Sequence, residues 1–445
     1  MSRCDKILMS FCTRRTHCDP VAGVDMSRTE RTSGFVAKGD SVHKLIALTI
    51  ACALSLSVAA TVTGPAGAQG SNKKTMYVIS SFQIPGESSL AVPYPENAAQ
   101  LAIAELQKDG WDVKYERIPG SATSASAEEQ AFLAAQAKSP DFWMGLGSSN
   151  VFIPIGAKVA ASGIPTFAYS SPSEGVRDGV AGGDNIYMLR PLNESVYARI
   201  ADFACGTLKL KKLGLSLVQT AFGPTAERAV RSTIEDKYPN CKVVAVQTNS
   251  AVATDTTQQV QAFKQAGVDG IISANFPAPM SVQINQLRQN GMDIPYIGGS
   301  SLSIAKDSGS ITTGTQKLYV ADDCVPDLKL NAAAKKFTKA YQAKYNTLPN
   351  YQAAQVWDAF QMAADAIDKA GAHGNTQINK AMLSTDYKGI CDYAADKNNA
   401  FARAVYVYDY KEDGSKKLLK TYPLPFIPSA ELGTTVPPTT AAAAG

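Results

Sequence analysis

The residues with the clearest potential for chemistry are small polar side chains that follow two short apolar runs. The segment 147–150 reads Gly-Ser-Ser-Asn and lies between the apolar run 142–144 and a helical pattern, and two more serines follow the run 165–169. Hydroxyls donate hydrogen bonds, and the free N–H groups of a helix N-terminus attract carboxylates. Serine at such turns is also an ordinary helix cap, so both readings stay open. The candidate carboxylate-binding residues are Ser148, Ser149, Ser170 and Ser171.

Motifs that would indicate catalysis or metal binding are missing from the sequence. It contains no G-x-S-x-G nucleophile turn, no G-x-x-x-x-G-K-[ST] loop, no G-x-G-x-x-G and no H-E-x-x-H. Beyond residue 68 the only histidine is His373, which excludes a two-histidine zinc site. Asp322 and Asp323 are adjacent and could act as general acid and base, although aspartates also cap helices and line crossovers. We therefore expect no enzyme activity, no metal and no cofactor.

Charge and composition narrow the class of protein. Hydrophobic residues make up 45% of the 445 residues, as in globular proteins. The net charge is only +4, which excludes a broad electrostatic surface for nucleic acid.

Short apolar runs alternate with helical patterns through the body of the chain. Continuous apolar strands separated by helices predict parallel sheets covered on both faces, and the alternation occurs twice, over about 74–188 and 194–320. We therefore predict an α/β fold with two Rossmann-like lobes and a cleft between them, where ligands usually bind. Two helices near 330–345 and 352–370 and a hairpin of 402–408 with 416–422 follow. The predicted strands are 76–80, 111–117, 142–145, 165–169, 215–219, 242–246, 270–273 and 296–298.

The first 68 residues have the parts of a secretory leader. Residues 45–62 carry no charge, follow His43 and Lys44, and precede a small-residue site at 66–68. This pattern predicts a signal peptide cleaved near Ala68 and a secreted, periplasmic or cell-envelope location. An uncleaved anchor is the alternative, because eighteen apolar residues just span a bilayer. The low-complexity segment 426–445 is predicted to be a disordered tail.

Four cysteines remain beyond the leader, an even number with no C-x-x-C motif. In an exported protein this predicts two disulfides. Three pairings are possible, and four buried thiols are the alternative. We favour Cys205 with Cys241, which joins a helix end to the next strand, and Cys324 with Cys391.

From 75 to 422 the chain resembles the type I periplasmic binding proteins, specifically the leucine/isoleucine/valine-binding branch of ABC-transporter solute receptors. The order and spacing of the motifs carry this resemblance, since no single motif is specific. The matching segments are the loop 81–94, the helix 97–110, the turn 147–149, the Ala-Ser-Gly-Ile-Pro segment 161–165, the turn 170–171, the Leu-Arg-Pro crossover 189–191, the Ala-Gly-Val-Asp segment 266–269 and the helix segment 355–358.

The resemblance implies a fold, a site and a partner. The lobes would be 74–190 with 325–390 and 191–324 with 391–425, joined by a multi-strand hinge. The four serines would bind the ligand carboxylate. Aromatic side chains would come from Phe222 and Phe276 of the second lobe, and from Tyr94 at the cleft mouth. A monomer would deliver its solute to an ABC permease in the membrane.

The sequence departs from this family at one important place. Amino-acid receptors of the family hold the ligand ammonium with an acid just after the strand 296–298, where this chain has Ser300 and no acid. A desolvated ammonium needs a counter-charge, so either Asp322 or Asp323 supplies it or the solute has no ammonium. We predict a carboxylate- or amide-bearing solute, with amino-acid-like solutes still included. The alternatives are a membrane-tethered sensing domain of the same fold and a cleft hydrolase.

Overall fold

A computed structural model describes residues 74–89, 92–121, 123–171, 183–395, 401–402, 404–411 and 413–424. The predicted leader, 1–68, and the predicted tail, 426–445, lie outside these residues. Within the described part, no helix has the length and apolar character needed to cross a membrane.

The described strands form two main sheets. The first is parallel throughout, with strand order β2-β1-β3-β4-β5. The second has the order β14-β13-β10-β9-β8-β6-β7, and only β13 and β14 run antiparallel to their neighbours. β11 and β12 form a separate antiparallel pair. The strands are β1 (Lys74–Ser80), β2 (Trp111–Arg117), β3 (Phe142–Gly145), β4 (Thr166–Ala168), β5 (Ile186–Met188), β6 (Lys212–Val218), β7 (Lys242–Asn249), β8 (Gly270–Ala274), β9 (Tyr296–Gly298), β10 (Leu318–Asp322), β11 (Asp386–Lys388), β12 (Asp392–Ala394), β13 (Ala404–Tyr410) and β14 (Lys416–Pro423).

Helices connect the parallel strands, as the sequence pattern predicts. A π-helical turn, Asp202–Thr207, extends α4, and a 3₁₀ turn, Pro326–Leu328, follows β10. The described helices are α1 (Tyr94–Lys108), α2 (Ala125–Gln136), α3 (Ser149–Ser162), α4 (Asn193–Ala201), α5 (Phe222–Lys237), α6 (Thr257–Ala266), α7 (Pro277–Gln289), α8 (Ser300–Asp307), α9 (Ala332–Tyr345), α10 (Tyr351–Ala370) and α11 (Asn375–Met382).

Helix α10 shows how the local sequence fixes these elements. The Asn350 side chain caps its first turn by accepting a hydrogen bond from the Ala353 N–H at 3.1 Å. Gly371, with φ of 62°, ends the helix in the left-handed conformation that glycine adopts without strain. The apolar side chains at 3.6-residue spacing, such as Val356 and Phe360, are fully buried.

Each sheet lies at the centre of its own hydrophobic core, so the protein has two lobes. One core combines the first sheet with α1, α9 and α10, and two adjoining cores cover the second sheet. The chain passes from the first sheet to the second after β5, returns after β10, and crosses again before β13. These crossings form a multi-strand hinge, and the predicted fold class is confirmed.

Two disulfides fasten this arrangement, and both predicted pairings are confirmed. Cys205 and Cys241 join the π-helical turn to the start of β7, with Cα atoms 5.9 Å apart. Cys324 and Cys391 join the crossover after β10 to the segment before β12, with Cα atoms 5.6 Å apart.

Candidate ligand-binding cleft

The carboxyl ends of the parallel strands in both sheets meet at a cavity between the lobes. Its volume is about 60 Å³, measured as space open to the centres of water-sized spheres. At roughly 10–15 Å³ per water on this measure, the space holds about four to six waters, which suits a small organic molecule. The lining residues are Gly147, Ser148, Ser149, Asn150, Ser170, Arg190, Asn193, Val196, Tyr197, Thr220, Phe222, Phe276, Gly299, Ser300, Ser301 and Tyr351.

The first lobe contributes the wall of serines that the sequence predicts. Ser148, Ser149 and Ser170 all line the cavity. The Ser148 hydroxyl also caps α3 by accepting a hydrogen bond from the Asn150 N–H at 3.3 Å. An accepting hydroxyl keeps its proton for donation, so capping and ligand binding are compatible at this residue.

The second lobe contributes aromatic side chains to the opposite wall. Phe222 and Phe276 line the cavity at the positions that the family resemblance indicates, and Ser300 lies beside them. Tyr197 packs edge-on against Phe222, with ring centroids 5.6 Å apart. Its hydroxyl donates to the Ser273 carbonyl at 2.9 Å. The aromatic wall is therefore held rigidly and is suited to the apolar body of a ligand.

Helix N-termini converge on this cavity. Six helices of the described chain place a first-turn or N-cap residue in its lining. A helix N-terminus carries the equivalent of about half a positive charge and presents free N–H groups, so the arrangement favours an anion. The contributing residues are Ser149 of α3, Asn193 of α4, Phe222 of α5, Phe276 of α7, Ser300 of α8 and Tyr351 of α10.

Arg190 is the only charged side chain among the described residues that line the cavity. Its Nε and Nη2 donate to one oxygen of Asp323 at 2.9 and 2.5 Å, and its guanidinium lies 4.5 Å from the Tyr351 ring centroid. Burial lowers the pKa of Arg190, but the neighbouring groups, with the negative charge of Asp323 first, together have the larger opposite effect. The pKa is therefore raised overall, and the guanidinium is charged. Nη1 has no hydrogen bond to any described residue and remains a donor for an anionic or carbonyl oxygen.

The two aspartates lie behind Arg190 and outside the cavity lining. Asp323, a predicted ligand residue, accepts from Arg190 and, at 2.7 Å, from Nε2 of Gln355. Burial and the charge of Asp323 raise the pKa of Asp322, although Arg190 opposes this. Because Asp323 is fully engaged with protein donors, it is not placed to pair with a ligand ammonium. The described residues of the lining include no pair of carboxylates such as a hydrolase would use.

Two other predicted ligand residues are likewise absent from the lining. Ser171 is fully buried, and its hydroxyl donates to the Leu146 carbonyl. Tyr94 stacks on Tyr341, with ring centroids 6.2 Å apart, and packs against the first lobe's core. Both side chains support the fold around the cleft.

Sequence reasoning missed several lining residues. Asn193 and Tyr351 are the first residues of their helices, and Tyr197 lies one turn into α4. The three residues become neighbours only through the crossovers. Arg190 had one signal, because it is a lone cation in the otherwise apolar link 189–192.

No group of three or more histidine, cysteine, aspartate or glutamate side chains among the described residues is arranged to hold a metal ion.

A two-lobed α/β fold with a cavity between the lobes is typical of a class of ligand-binding proteins. The family model described as "Periplasmic binding protein" matches residues 86–415, and the chain belongs to this family. The protein is therefore a solute-binding protein and not an enzyme, and the family implies a location outside the cytoplasm. No curated protein sequence matches the chain significantly.

Solved structures with the same fold bind two kinds of solute. The branched-chain amino acid substrate-binding protein of Streptococcus pneumoniae, in complex with isoleucine, is 20% identical with a TM-score of 0.66, covering 79% of this chain and 99% of that one. A leucine-binding protein of Thermotoga maritima is 17% identical with a TM-score of 0.67, covering 78% and 98%. An ABC-transporter solute-binding protein of R. palustris, in complex with 4-hydroxybenzoate, is 14% identical with a TM-score of 0.70, covering 78% and 97%.

Proposed function

We propose that this protein captures a small carboxylate that carries no ammonium group and delivers it to an ABC permease. The observation that carries the proposal is the charge of the cavity lining. Among the described residues the lining contains no acid, one arginine and the N-termini of six helices. An ammonium group there would be desolvated without a counter-charge, whereas a carboxylate would meet N–H and O–H donors.

The serine wall is the proposed carboxylate site. Ser148, Ser149 and Ser170 stand at the α3 N-terminus and at the end of β4, where several donors converge. Ser300 faces them from the second lobe. An amide oxygen would accept from the same donors, but it carries no full negative charge and gains less from the helix N-termini, so a carboxylate is the preferred form.

The aromatic wall favours an apolar or aromatic body for the solute. Phe222, Phe276 and Tyr197 present rings to the cavity, and stacking of rings adds stabilisation beyond the area that they bury. The structural similarity to proteins that bind benzoate and 4-hydroxybenzoate supports this choice, since these solutes combine a carboxylate with a ring and have no ammonium.

The cellular setting is proposed with the same function. Residues 1–68 act as a cleaved leader, and the protein works as a monomer beside its permease. The proposed lobes are 74–190 with the chain from 325 to Ala402, and 191–324 with β13 and β14. We propose that the last crossover between the lobes follows Ala402, and not 390 as the resemblance implied, because Tyr393, Phe401 and Ala402 pack in the first lobe's core. Retention of 45–62 in the mature protein would instead indicate the tethered sensor.

Titration calorimetry on the exported protein tests the solute class. Benzoate and 4-hydroxybenzoate should bind, benzamide should bind more weakly, and leucine, isoleucine and valine should not bind. An unpaired ammonium costs several kcal/mol, which weakens binding by about a thousandfold or more. Micromolar binding of any of the three amino acids would overturn the proposed class while leaving the general solute-binding role in place.

A further inference from the structure

The peptide just before the serine wall has an unusual conformation. Leu146 follows β3 and directly precedes Gly147 and Ser148, and its φ is +61°. A leucine in the left-handed region costs free energy and persists only where its surroundings hold it. Its side chain is fully buried, and hydrogen bonds hold the backbone on either side of it.

Glu128 holds the peptide group that joins Gly145 to Leu146. Its carboxylate is completely buried, and one oxygen accepts from the Leu146 N–H at 3.1 Å and from the Ser81 hydroxyl at 2.8 Å. The other oxygen accepts from the Ser121 N–H at 2.9 Å. An ionised carboxylate only accepts, so it satisfies all three donors, whereas an amide would oppose one of them with its own N–H groups.

Ser171 holds the next peptide group, which joins Leu146 to Gly147. Its buried hydroxyl donates to the Leu146 carbonyl from the turn after β4. The flanking positions have no space for a side chain, because a Cβ at Gly145 would lie 2.5 Å from the Ser81 hydroxyl and one at Gly147 would lie 2.6 Å from the Tyr169 hydroxyl. Hydrogen bonds therefore hold the Leu146 backbone on both sides of its Cα.

We propose that Glu128 and Ser171 are positioning residues of the binding site, which set the orientation of the turn 147–149 through the Leu146 peptide. The inference rests on the proposed function in taking this turn as a ligand-contacting surface. It gives Ser171 a role other than ligand contact and adds Glu128, which the sequence did not indicate.

Hydrogen exchange of the unliganded protein tests the positioning without any ligand. We compare Glu128→Gln and Ser171→Ala with the matched control Glu227→Gln, which alters a buried glutamate that pairs with Arg231 at 2.8 Å in the other lobe. Backbone amides of 146–150 should exchange about tenfold faster or more in the first two variants. Each variant loses one hydrogen bond of the Leu146 backbone, to the Glu128 carboxylate or from the Ser171 hydroxyl. The control should leave this segment unchanged, and exchange elsewhere should be unchanged in all folded variants.

Unchanged exchange at 146–150 in both variants would overturn the proposal. If Glu128→Gln fails to fold, Ser171→Ala decides alone, because it retains the buried carboxylate and removes one hydroxyl. Exchange that rises equally throughout the protein would indicate a purely structural role and would also overturn it.

Benzoate affinity gives a second readout. Glu128→Gln should weaken benzoate binding by about tenfold, and its combination with Ser149→Ala should cost less than the sum of the single losses, since both act through one turn. Additive losses would contradict action through the turn. If the unaltered protein binds no carboxylate, the proposed function fails, while the exchange experiment still decides the positioning role.

Discussion

Asp358 should make the stability of this protein depend on pH in an unusual direction. The carboxyl is fully buried on α10 and accepts hydrogen bonds from the Ile390 N–H at 3.0 Å and the Cys391 N–H at 2.9 Å. Burial raises its pKa to about 7, an effect that these backbone donors only partly offset.

The sign and size follow from proton linkage. Below about pH 4 the carboxyl is protonated in both states and has no effect on the free energy of unfolding. Between about pH 4 and pH 7 the unfolded state loses this proton while the folded state keeps it, so stability falls by about 1.4 kcal/mol per pH unit. The shift from 3.8 to about 7 therefore corresponds to a total loss of about 4 kcal/mol, after which the contribution is constant.

Urea unfolding of Asp358→Asn at pH 4 to 8, followed by far-ultraviolet circular dichroism, checks this prediction. Asparagine does not titrate, so the difference in unfolding free energy between the protein and the variant should change by about 4 kcal/mol over this range. Asp365→Asn is the matched control on α10, because Asp365 is partly exposed and pairs with Lys369 at 2.7 Å. Parallel pH profiles for the unaltered protein and Asp358→Asn would refute the reasoning.

Three further outcomes are expected. Ser149→Ala and Ser170→Ala should each weaken benzoate binding by about 1–3 kcal/mol, measured by calorimetry, and unchanged affinity would place the carboxylate elsewhere. Replacing Cys324 and Cys391 together by alanine should lower the free energy of unfolding by about 3–4 kcal/mol for a loop of 67 residues; a loss below about 1 kcal/mol in urea titrations would argue against a stabilising crosslink. Asp323→Asn should cost about 3–5 kcal/mol, because it removes the nearest counter-charge of the buried Arg190, and an unchanged thermal midpoint would contradict this.

Much of the fold follows from local sequence patterns. The bounds of β2, β3 and β9 coincide with the predicted runs. β3 and β9 are short apolar segments, whereas β2 alternates apolar and charged residues after Gly110. β5 was not predicted, because neither residue next to its ends, Asn185 and Leu189, is a glycine, proline or aspartate.

The site was predictable only where local sequence determines position. Ser148, Ser149 and Ser170 follow strands of one parallel sheet, whose carboxyl ends share an edge. Ser171 follows the same strand, but successive residues point in opposite directions, and its hydroxyl binds the protein instead of facing the cavity. The sequence made Asp323 a candidate ligand residue. In the structure it pairs with Arg190, which is 133 residues away in the chain, so no local sequence pattern indicates the pairing.

The fold alone cannot assign the solute, because the same architecture accommodates isoleucine in one structure and 4-hydroxybenzoate in another. The charges that line the cavity can discriminate between them. Arg190 is already balanced by Asp323, so the attraction for an anion comes mainly from backbone N–H groups and serine hydroxyls. The backbone N–H groups cannot accept a hydrogen bond from an ammonium, and the serine hydroxyls offer its protons only neutral oxygens. We therefore propose a carboxylate without an ammonium as the solute, because an α-amino acid would need an acid that the described lining does not contain.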